Sequence, residues 1–414
     1  MNHNKYPLSA DLDYYKLTMG QVIHEYHPDD IVTFTFKNRD KVNKLSEYVP
    51  VDELQNRLEE IRAVGFTGEE IAYYAGLMAS DDGARFSEDY LDALADLELP
   101  EVNVNINPET NDLDINSTGK WLNVTFWETV IMSEINQIHY KNMAAERGLS
   151  LDDLYAEGNQ RLTDKIEKLR AHPGIKFADF GTRRRFSREW HEHVVNRLAN
   201  ELPEQFIGTS NPWFAYEYNL APIGTFAHEM PMVYAGLAGA RGDNPLNGHN
   251  EMLQNWDEVY DGDLSTALTD TFTSEFFWAD FTPEQAEKWS GLRHDSGDPI
   301  EFGERAIEFY TQNNIDPSTK TIVFSDGLDI DKIVELYEYF NGRINVVFGW
   351  GTSLMNDLGL KANNMVMKAT HVNGEPTVKL SDNEGKHTGP EDYVQNYASL
   401  AKEAVRRAGL VLAA

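Results

Sequence analysis

Apolar and polar positions along the chain fall into two textures. Through residue 130 the texture is mixed. Tyr14–Tyr26 repeats apolar residues at helical spacing, whereas Ile31–Lys37 (I-V-T-F-T-F-K) alternates like a half-buried strand. Val51–Val64 and Glu69–Met78 carry helical spacing, and Ser87–Leu97 predicts a short helix with Ser87 as its N-cap. A strand pair is expected at Val102–Ile106 and Leu113–Asn116, joined by the turn-rich N-P-E-T-N-D. Long helices are expected over Trp121–Tyr140 and Asp152–Arg170. From Gly174 onward, short apolar runs are each followed by a small-residue loop and a helix. The runs are Ile175–Phe180, Gln205–Gly208, Ala221–Gly224, Leu292–His294, Thr321–Phe324 and Asn345–Phe348. Such alternation predicts a parallel sheet, and its repeated closure a (β/α) barrel whose loops after the strands carry the chemistry. The tail predicts a hairpin over Asn364–Leu380, turning at Asn373-Gly374, then a helix to about Ala408.

The length, 414 residues, suits two or three domains rather than one. No self-similar period appears, which excludes a solenoid or propeller. Lys and Arg number 36 against 68 Asp and Glu, a net charge of −32. That balance argues against nucleic acid and against an anionic membrane surface as partners, since both need clustered cations. An anionic ligand needs a local knot of Arg or Lys to reverse the global field. With no Cys in the chain, a disulfide framework, a thiolate metal site and a Cys nucleophile are ruled out. Met1–Asp13 lacks an apolar signal core, and no apolar run is long enough to span a membrane, so the cytoplasm is the expected location.

The candidate chemistry sits in the loops that follow the predicted strands. Arg183, Arg184, Arg185 and Arg188 form a fork-bearing cluster suited to phosphate or pyrophosphate, or else a solvated helix start pairing with Glu189 and Glu192. The preceding Asp179-Phe180-Gly181 matches a kinase tripeptide, but no H-R-D loop or Gly-rich G-x-G-x-x-G stretch accompanies it. Gly349-Trp350-Gly351-Thr352-Ser353 lets backbone approach a phosphate, or is a tight turn with Ser353 as N-cap. Arg293-His294-Asp295-Ser296-Gly297-Asp298-Pro299 offers carboxylates for ribose hydroxyls or a pyrophosphate-bound Mg²⁺, or a helix cap at Asp298. Ser325-Asp326-Gly327-Leu328-Asp329 repeats the theme. His228 in G-T-F-A-H-E is either a surface histidine or a base or phosphoryl nucleophile, with Glu229 available to orient it. Trp190-His191-Glu192-His193 lacks zinc spacing and reads as structural.

Together these loops resemble the nicotinate phosphoribosyltransferase family, from D-Y-Y-K-L-T-M-G-Q near the start to G-W-G-T-S near the end. The resemblance implies an α/β fold: an irregular (β/α) barrel of the type II phosphoribosyltransferase kind plus an N-terminal α/β sandwich domain. The expected division is residues 1–135 and 136–361, with 362–414 packing back onto the first domain. It also implies head-to-tail homodimers with shared active sites. The implied reaction joins nicotinate to 5-phosphoribosyl-1-pyrophosphate in NAD salvage, with Mg²⁺ as cofactor and ATP as co-substrate acting through a phosphohistidine.

Carried onto this chain, the resemblance makes His228 the phosphorylated residue and His228, Asp295 and Asp326 the catalytic groups. Tyr15 is expected to stack on the pyridine ring from the partner subunit, with Arg183 near the nicotinate and phosphoribosyl group. Thr225 is expected beside the substrate and Arg293 as a binding cation. Gly351 and Thr352 are implied to hold the 5-phosphate, with Ser325 and Gly327 lining the same pocket. Nicotinamide-using relatives carry Asp where this chain has Ser210, which favours the acid over the amide because Asp would repel a carboxylate. The nicotinamide enzyme, a metal-dependent barrel phosphohydrolase and a non-catalytic ligand-binding protein are the competing readings.

Overall fold

The computed structural model describes residues 6–40, 42–80, 83–383 and 386–412, so the outermost residues of the two terminal segments lie outside the description. Two sheets organise the chain. The first is antiparallel and built from β1 (Ile31–Asn38), β2 (Val102–Asn107), β3 (Asp112–Lys120), β10 (Met365–Val372) and β11 (Glu375–Pro376), in the order β11-β10-β1-β3-β2. The second is parallel, in the order β5-β4-β9-β8-β7-β6, with β4 at Phe177–Asp179, β5 at Phe206–Thr209 and β6 at Thr266–Leu268. Its remaining strands are β7 (Gly291–His294), β8 (Thr321–Phe324) and β9 (Asn345–Trp350). The fold is thus an irregular α/β barrel with a separate N-terminal α/β unit.

The alternation read in β1 has its physical basis in burial. Val32, Phe34 and Phe36 turn into the core, while Thr33 and Thr35 pair across the other face with Thr118 and Thr370. Strand β1 pairs antiparallel with β10, with Val32 opposite Val372 and Phe36 opposite Met367. The C-terminal hairpin therefore completes the N-terminal sheet. Most buried apolar side chains join one continuous cluster that runs through both units. A smaller cluster under the C-terminal helix Glu391–Leu412 includes Leu246, Phe272, Val378, Val394 and Tyr397.

Three elements differ from the sequence pattern. Ala221–Gly224 contributes only a bridge between Thr209 and Pro222, lying beside β5, rather than a strand. Gly208 allows that approach, since a Cβ there would collide with the Ala221 carbonyl oxygen. Thr266–Leu268 is a strand that the pattern missed, because its three residues run straight into polar T-D-T. The expected helix Trp121–Tyr140 divides into Trp121–Val124 and Trp127–Glu146. Among the described residues no helix is long and apolar enough to cross a membrane.

Two of the four clustered arginines are structural, which corrects both readings offered for them. Arg188 grips Asp11 with Nε at 2.7 Å and Nη2 at 2.6 Å, and it also pairs with Glu134. Arg185 pairs with Asp11 and donates to the Ala10 carbonyl at 2.6 Å. Neither guanidinium faces a ligand or solvent. Burial would raise the Asp11 carboxyl, but Arg188 and Arg185 outweigh it and hold it at about 2. A carboxylate depressed on folding adds stability above its unfolded pKa and loses it as pH falls towards the folded value. Urea midpoints should therefore drop in the parent as pH falls below about 4, a component that Asp11→Asn should lack. Asp11→Ala, which leaves the buried Arg185 without a carboxylate and Arg188 with Glu134 alone, should cost about 3–5 kcal/mol at neutral pH; an unchanged midpoint would refute the structural role.

Candidate functional site

At the C-terminal ends of the parallel strands, where they meet the N-terminal unit, lies a cavity of about 1230 Å³. The twelve residues to which the family resemblance gave a role line it: Tyr15, Arg183, Ser210, Thr225, His228, Arg293, Asp295, Ser325, Asp326, Gly327, Gly351 and Thr352. The barrel topology accounts for this convergence, because every βα loop opens on the same rim.

One end of the cavity is built on the start of the helix Tyr15–Tyr26. Arg183 Nη1 donates to Asp13 Oδ2 at 2.9 Å and approaches the Tyr15 hydroxyl at 3.2 Å, with its guanidinium over the Tyr15 ring. Burial disfavours the Arg183 cation, but Tyr15, Asp13 and Glu128 outweigh it and hold its pKa above the ordinary guanidinium value. Ser210 Oγ donates to Asp13 Oδ1 at 2.6 Å. Tyr15 reaches this pocket from its own chain, which corrects the expectation that a partner supplies it. The reason is local: Tyr14 N–H bonds the Ser210 carbonyl at 2.5 Å and docks the helix start on the barrel rim.

The middle of the cavity holds an interlocked polar set. Arg293 Nε donates to Ser325 Oγ at 3.1 Å and Nη1 to the Phe226 carbonyl at 3.2 Å, while Nη2 lies 3.7 Å from Asp295 Oδ1. Ser325 Oγ also lies 2.9 Å from Asp295 Oδ1. Thr225 Oγ1 donates to the Thr266 carbonyl at 3.0 Å. Burial would raise the Asp295 carboxyl, but Arg293 and His228 outweigh it and hold it well below the usual range. Asp326 behaves oppositely: burial, with the nearby Asp295, raises it despite Lys386 at 3.9 Å.

His228 directly precedes the helix Glu229–Ala240, and its side chain does not cap it. Its Nε2 lies 2.9 Å from Asp295 Oδ2 and 2.8 Å from Lys379 Nζ, and its Nδ1 lies 2.9 Å from Thr271 Oγ1. Burial and then Lys379 push the imidazole pKa below its ordinary value, with Asp270 and Asp295 opposing. The ring is thus neutral near neutral pH and keeps a lone pair on one nitrogen. Glu229 does not orient it, a correction to the sequence reading. That carboxylate turns the other way to accept from Trp121 Nε1 at 2.6 Å, Thr125 Oγ1 at 2.7 Å and Lys16.

The glycine loop after β9 fits closely against its neighbours. A Cβ on Gly349 would strike the Phe180 ring, and one on Gly351 would stand 3.2 Å from the Phe180 carbonyl oxygen. Ser353 does not cap a helix; its hydroxyl accepts from Trp350 Nε1 at 2.6 Å and donates to the Leu328 carbonyl. Asp298 and Asp329 lie away from the cavity chemistry and cap the helices Pro299–Gln312 and Ile330–Phe340. His191 is structural, as read, bonding the buried Asp179 at 2.6 Å.

Sequence reasoning missed several lining groups: Asp13, Glu128, Arg39, Lys368, Lys379 and Lys386. It also missed Asp270, fully buried and 3.1 Å from Lys379 Nζ. The one sequence signal was a lysine inside the apolar run Val378-Lys379-Leu380. Burial, with Lys379 and Arg39 beside it, brings the Lys368 amine down to about 7. As for a metal, His228, Asp270 and Asp295 converge within 4.8 Å, but the Lys379 ammonium already touches two of them. The oxygen donors Asp295 and Asp326 at the rim better suit Mg²⁺, which favours one or two carboxylates plus substrate phosphates.

Two family profiles match the chain: the nicotinate phosphoribosyltransferase (NAPRTase) N-terminal domain over residues 10–136 and the nicotinate phosphoribosyltransferase (NAPRTase) family over residues 175–404. Among solved structures, the chain is similar to a nicotinate phosphoribosyltransferase from Porphyromonas gingivalis at 30% identity and a TM-score of 0.86, covering 96% of this chain and 100% of that one. It is similar to one from Vibrio cholerae at 30% identity and 0.87, covering 97% and 94%. A putative nicotinate phosphoribosyltransferase from Saccharomyces cerevisiae follows at 25% identity and 0.82, covering 97% and 100%.

Because Lys379 is a positive neighbour of His228, its removal has a definite sign. Lys379→Met should raise the His228 pKa in an NMR titration of the imidazole Cε1–H resonance. An unchanged or lower value would show that the ammonium does not set the ring's charge state.

Proposed function

The chain belongs to the nicotinate phosphoribosyltransferase family, and on that premise we propose that it converts nicotinate, 5-phosphoribosyl-1-pyrophosphate, ATP and water to nicotinate mononucleotide, pyrophosphate, ADP and phosphate. The observation that carries the reading is the meeting of all twelve candidate residues in one cavity edged by cations. Tyr15 offers a ring to stack on the pyridine, and Arg183 a guanidinium for its carboxylate. Ser210 supports the acid over the amide, since an Asp there would stand against Asp13 and a substrate carboxylate together.

Displacement of pyrophosphate by the pyridine nitrogen builds positive charge on the ribose ring, so the protein supplies no nucleophile towards carbon. Asp295 and Asp326 would face that charge, while Gly351 and Thr352 hold the 5-phosphate and Arg293 with the rim lysines grips the pyrophosphate. Mg²⁺, held by Asp295 and Asp326, would neutralise charge on the phosphates when bound. The neutral His228 ring would attack the terminal phosphoryl group of ATP, forming an N–P bond as the P–O bond to ADP breaks. Water later cleaves the N–P bond and restores the histidine. The proposal extends to the domain division at 135/136 and 361/362 and to a homodimer, which sedimentation of the purified protein would detect.

Mass analysis of products from nicotinate, the phosphoribosyl donor and Mg²⁺, with and without ATP, tests the function directly. Nicotinate mononucleotide is expected, formed faster with ATP. His228→Ala should keep the slow transfer and lose the ATP response, and a variant that still responds would overturn the phosphohistidine role. Nicotinamide outcompeting nicotinate, or phosphate release from simple phosphoesters without added base, would each replace the reading. Ser210→Asp should raise the KM for nicotinate on the order of tenfold to a hundredfold, measured in steady-state assays against the parent.

A further inference from the structure

One largely buried charged cluster lies at the wall of the cavity, with Glu128 and Glu229 lining it and Lys16 behind them, and has no part in the chemistry above. Lys16, with no exposed side-chain surface, pairs with Glu128 at 2.6 Å and with Glu229, and it donates to Thr125 Oγ1 at 3.1 Å. Burial works against the ammonium, but Glu128 and Glu229 outweigh it and keep its pKa above the ordinary lysine value. Glu229 directly follows His228 and opens the same helix. Two more contacts run in parallel: Thr18 Oγ1 donates to the Thr225 carbonyl at 2.6 Å, and the Ala227 N–H meets Met19 Sδ at 3.3 Å. The first helix thus holds the whole loop that carries His228, and Lys16 is its only charged hold on that loop. A fully buried ion pair of this kind is poor value as a source of stability but a stringent constraint on geometry.

We propose that Lys16 is a positioning residue for His228, fixing through Glu229 where the imidazole meets the phosphoryl group it accepts. The inference rests on the phosphohistidine reading given above. Lys16 does not line the cavity and touches no substrate. Its effect is on the phosphoryl step, because His228 is held on its other side by Asp295, Thr271 and Lys379. With the Glu229 anchor loosened, the ring keeps these partners, but its backbone is free to shift. Displacements of an ångström at a reacting group cost on the order of a hundredfold in rate.

The test measures two rates on the same full-length samples: incorporation of radiolabelled phosphate from ATP into acid-labile linkage at His228, and ATP-independent formation of nicotinate mononucleotide. Parent, Lys16→Met, Lys16→Arg and Glu229→Gln are compared, with His228→Ala as the unlabelled control. Glu229→Gln keeps oxygen acceptors for Trp121 and Thr125 and leaves Lys16 paired with Glu128, so it decides the matter alone if Lys16→Met does not fold. The expected result is a fall in labelling rate of about tenfold or more in Lys16→Met and Glu229→Gln, with ATP-independent transfer and the KM for ATP within about twofold. Lys16→Arg should recover most of the labelling. Labelling at the parent rate in both charge-removing variants overturns the proposal alone, as does a fall of both rates by one common factor. A parent that takes no label overturns the phosphohistidine reading and the proposal with it.

Discussion

The cavity exists because six consecutive residues, Asp11 to Lys16, lie between the N-terminal unit and the barrel with every charge matched. Asp11 takes up Arg185 and Arg188, Asp13 holds Arg183 and Ser210, Tyr15 lies beneath the Arg183 guanidinium, and Lys16 holds Glu128 and Glu229. Burying an ion without its partner costs several kcal/mol, so none of these groups can shift alone. Such pairs add little net stability compared with apolar packing. What they impose is a single arrangement of the segment against three barrel loops, which sets the spacing of Tyr15, Arg183 and His228.

A second constraint is electrostatic. The chain carries a net charge of −32, yet its cavity is edged by Arg39, Arg184, Lys368, Lys379 and Lys386. These cations offset the carboxylates of the lining, so an anion meets less repulsion in this mouth than over the acidic chain as a whole. Burial first, and then the neighbouring Lys379 and Arg39, bring the Lys368 amine down to about 7. Carboxylates sit beside the cations throughout the lining. Asp295 is held ionised by Arg293 and His228, and Asp270 lies under Lys379 and His228. A ligand with two anionic ends and a sugar between them matches that alternation of sign.

Much of this was legible in the order of residues. The switch from mixed texture to short apolar runs at Gly174 announced the barrel, because strands buried on both faces read as continuous apolar runs. Placing the small polar loops after those runs then grouped Arg183, Ser210, His228, Arg293, Asp295, Ser325 and Gly351 on one rim. Local signals were weaker where an element is short or irregular. Thr266–Leu268 is too brief to show a period, and Ala221–Gly224 has the composition of a strand but pairs only through Pro222.

By itself, then, the amino-acid order determined the α/β class, the succession of strands and helices, and which loop residues had the chemistry for a charged sugar substrate. These are properties of near neighbours, set by side-chain periodicity, caps and turns. Only the tertiary structure decided which of four adjacent arginines meets the cavity and which two are spent on Asp11. It alone brought Lys379 and Asp270 to His228, turned Glu229 away towards Lys16, and supplied Tyr15 from the same chain. Those outcomes depend on pairing between residues far apart in the chain, where the cost of leaving a buried charge unmatched, not local preference, selects the partner.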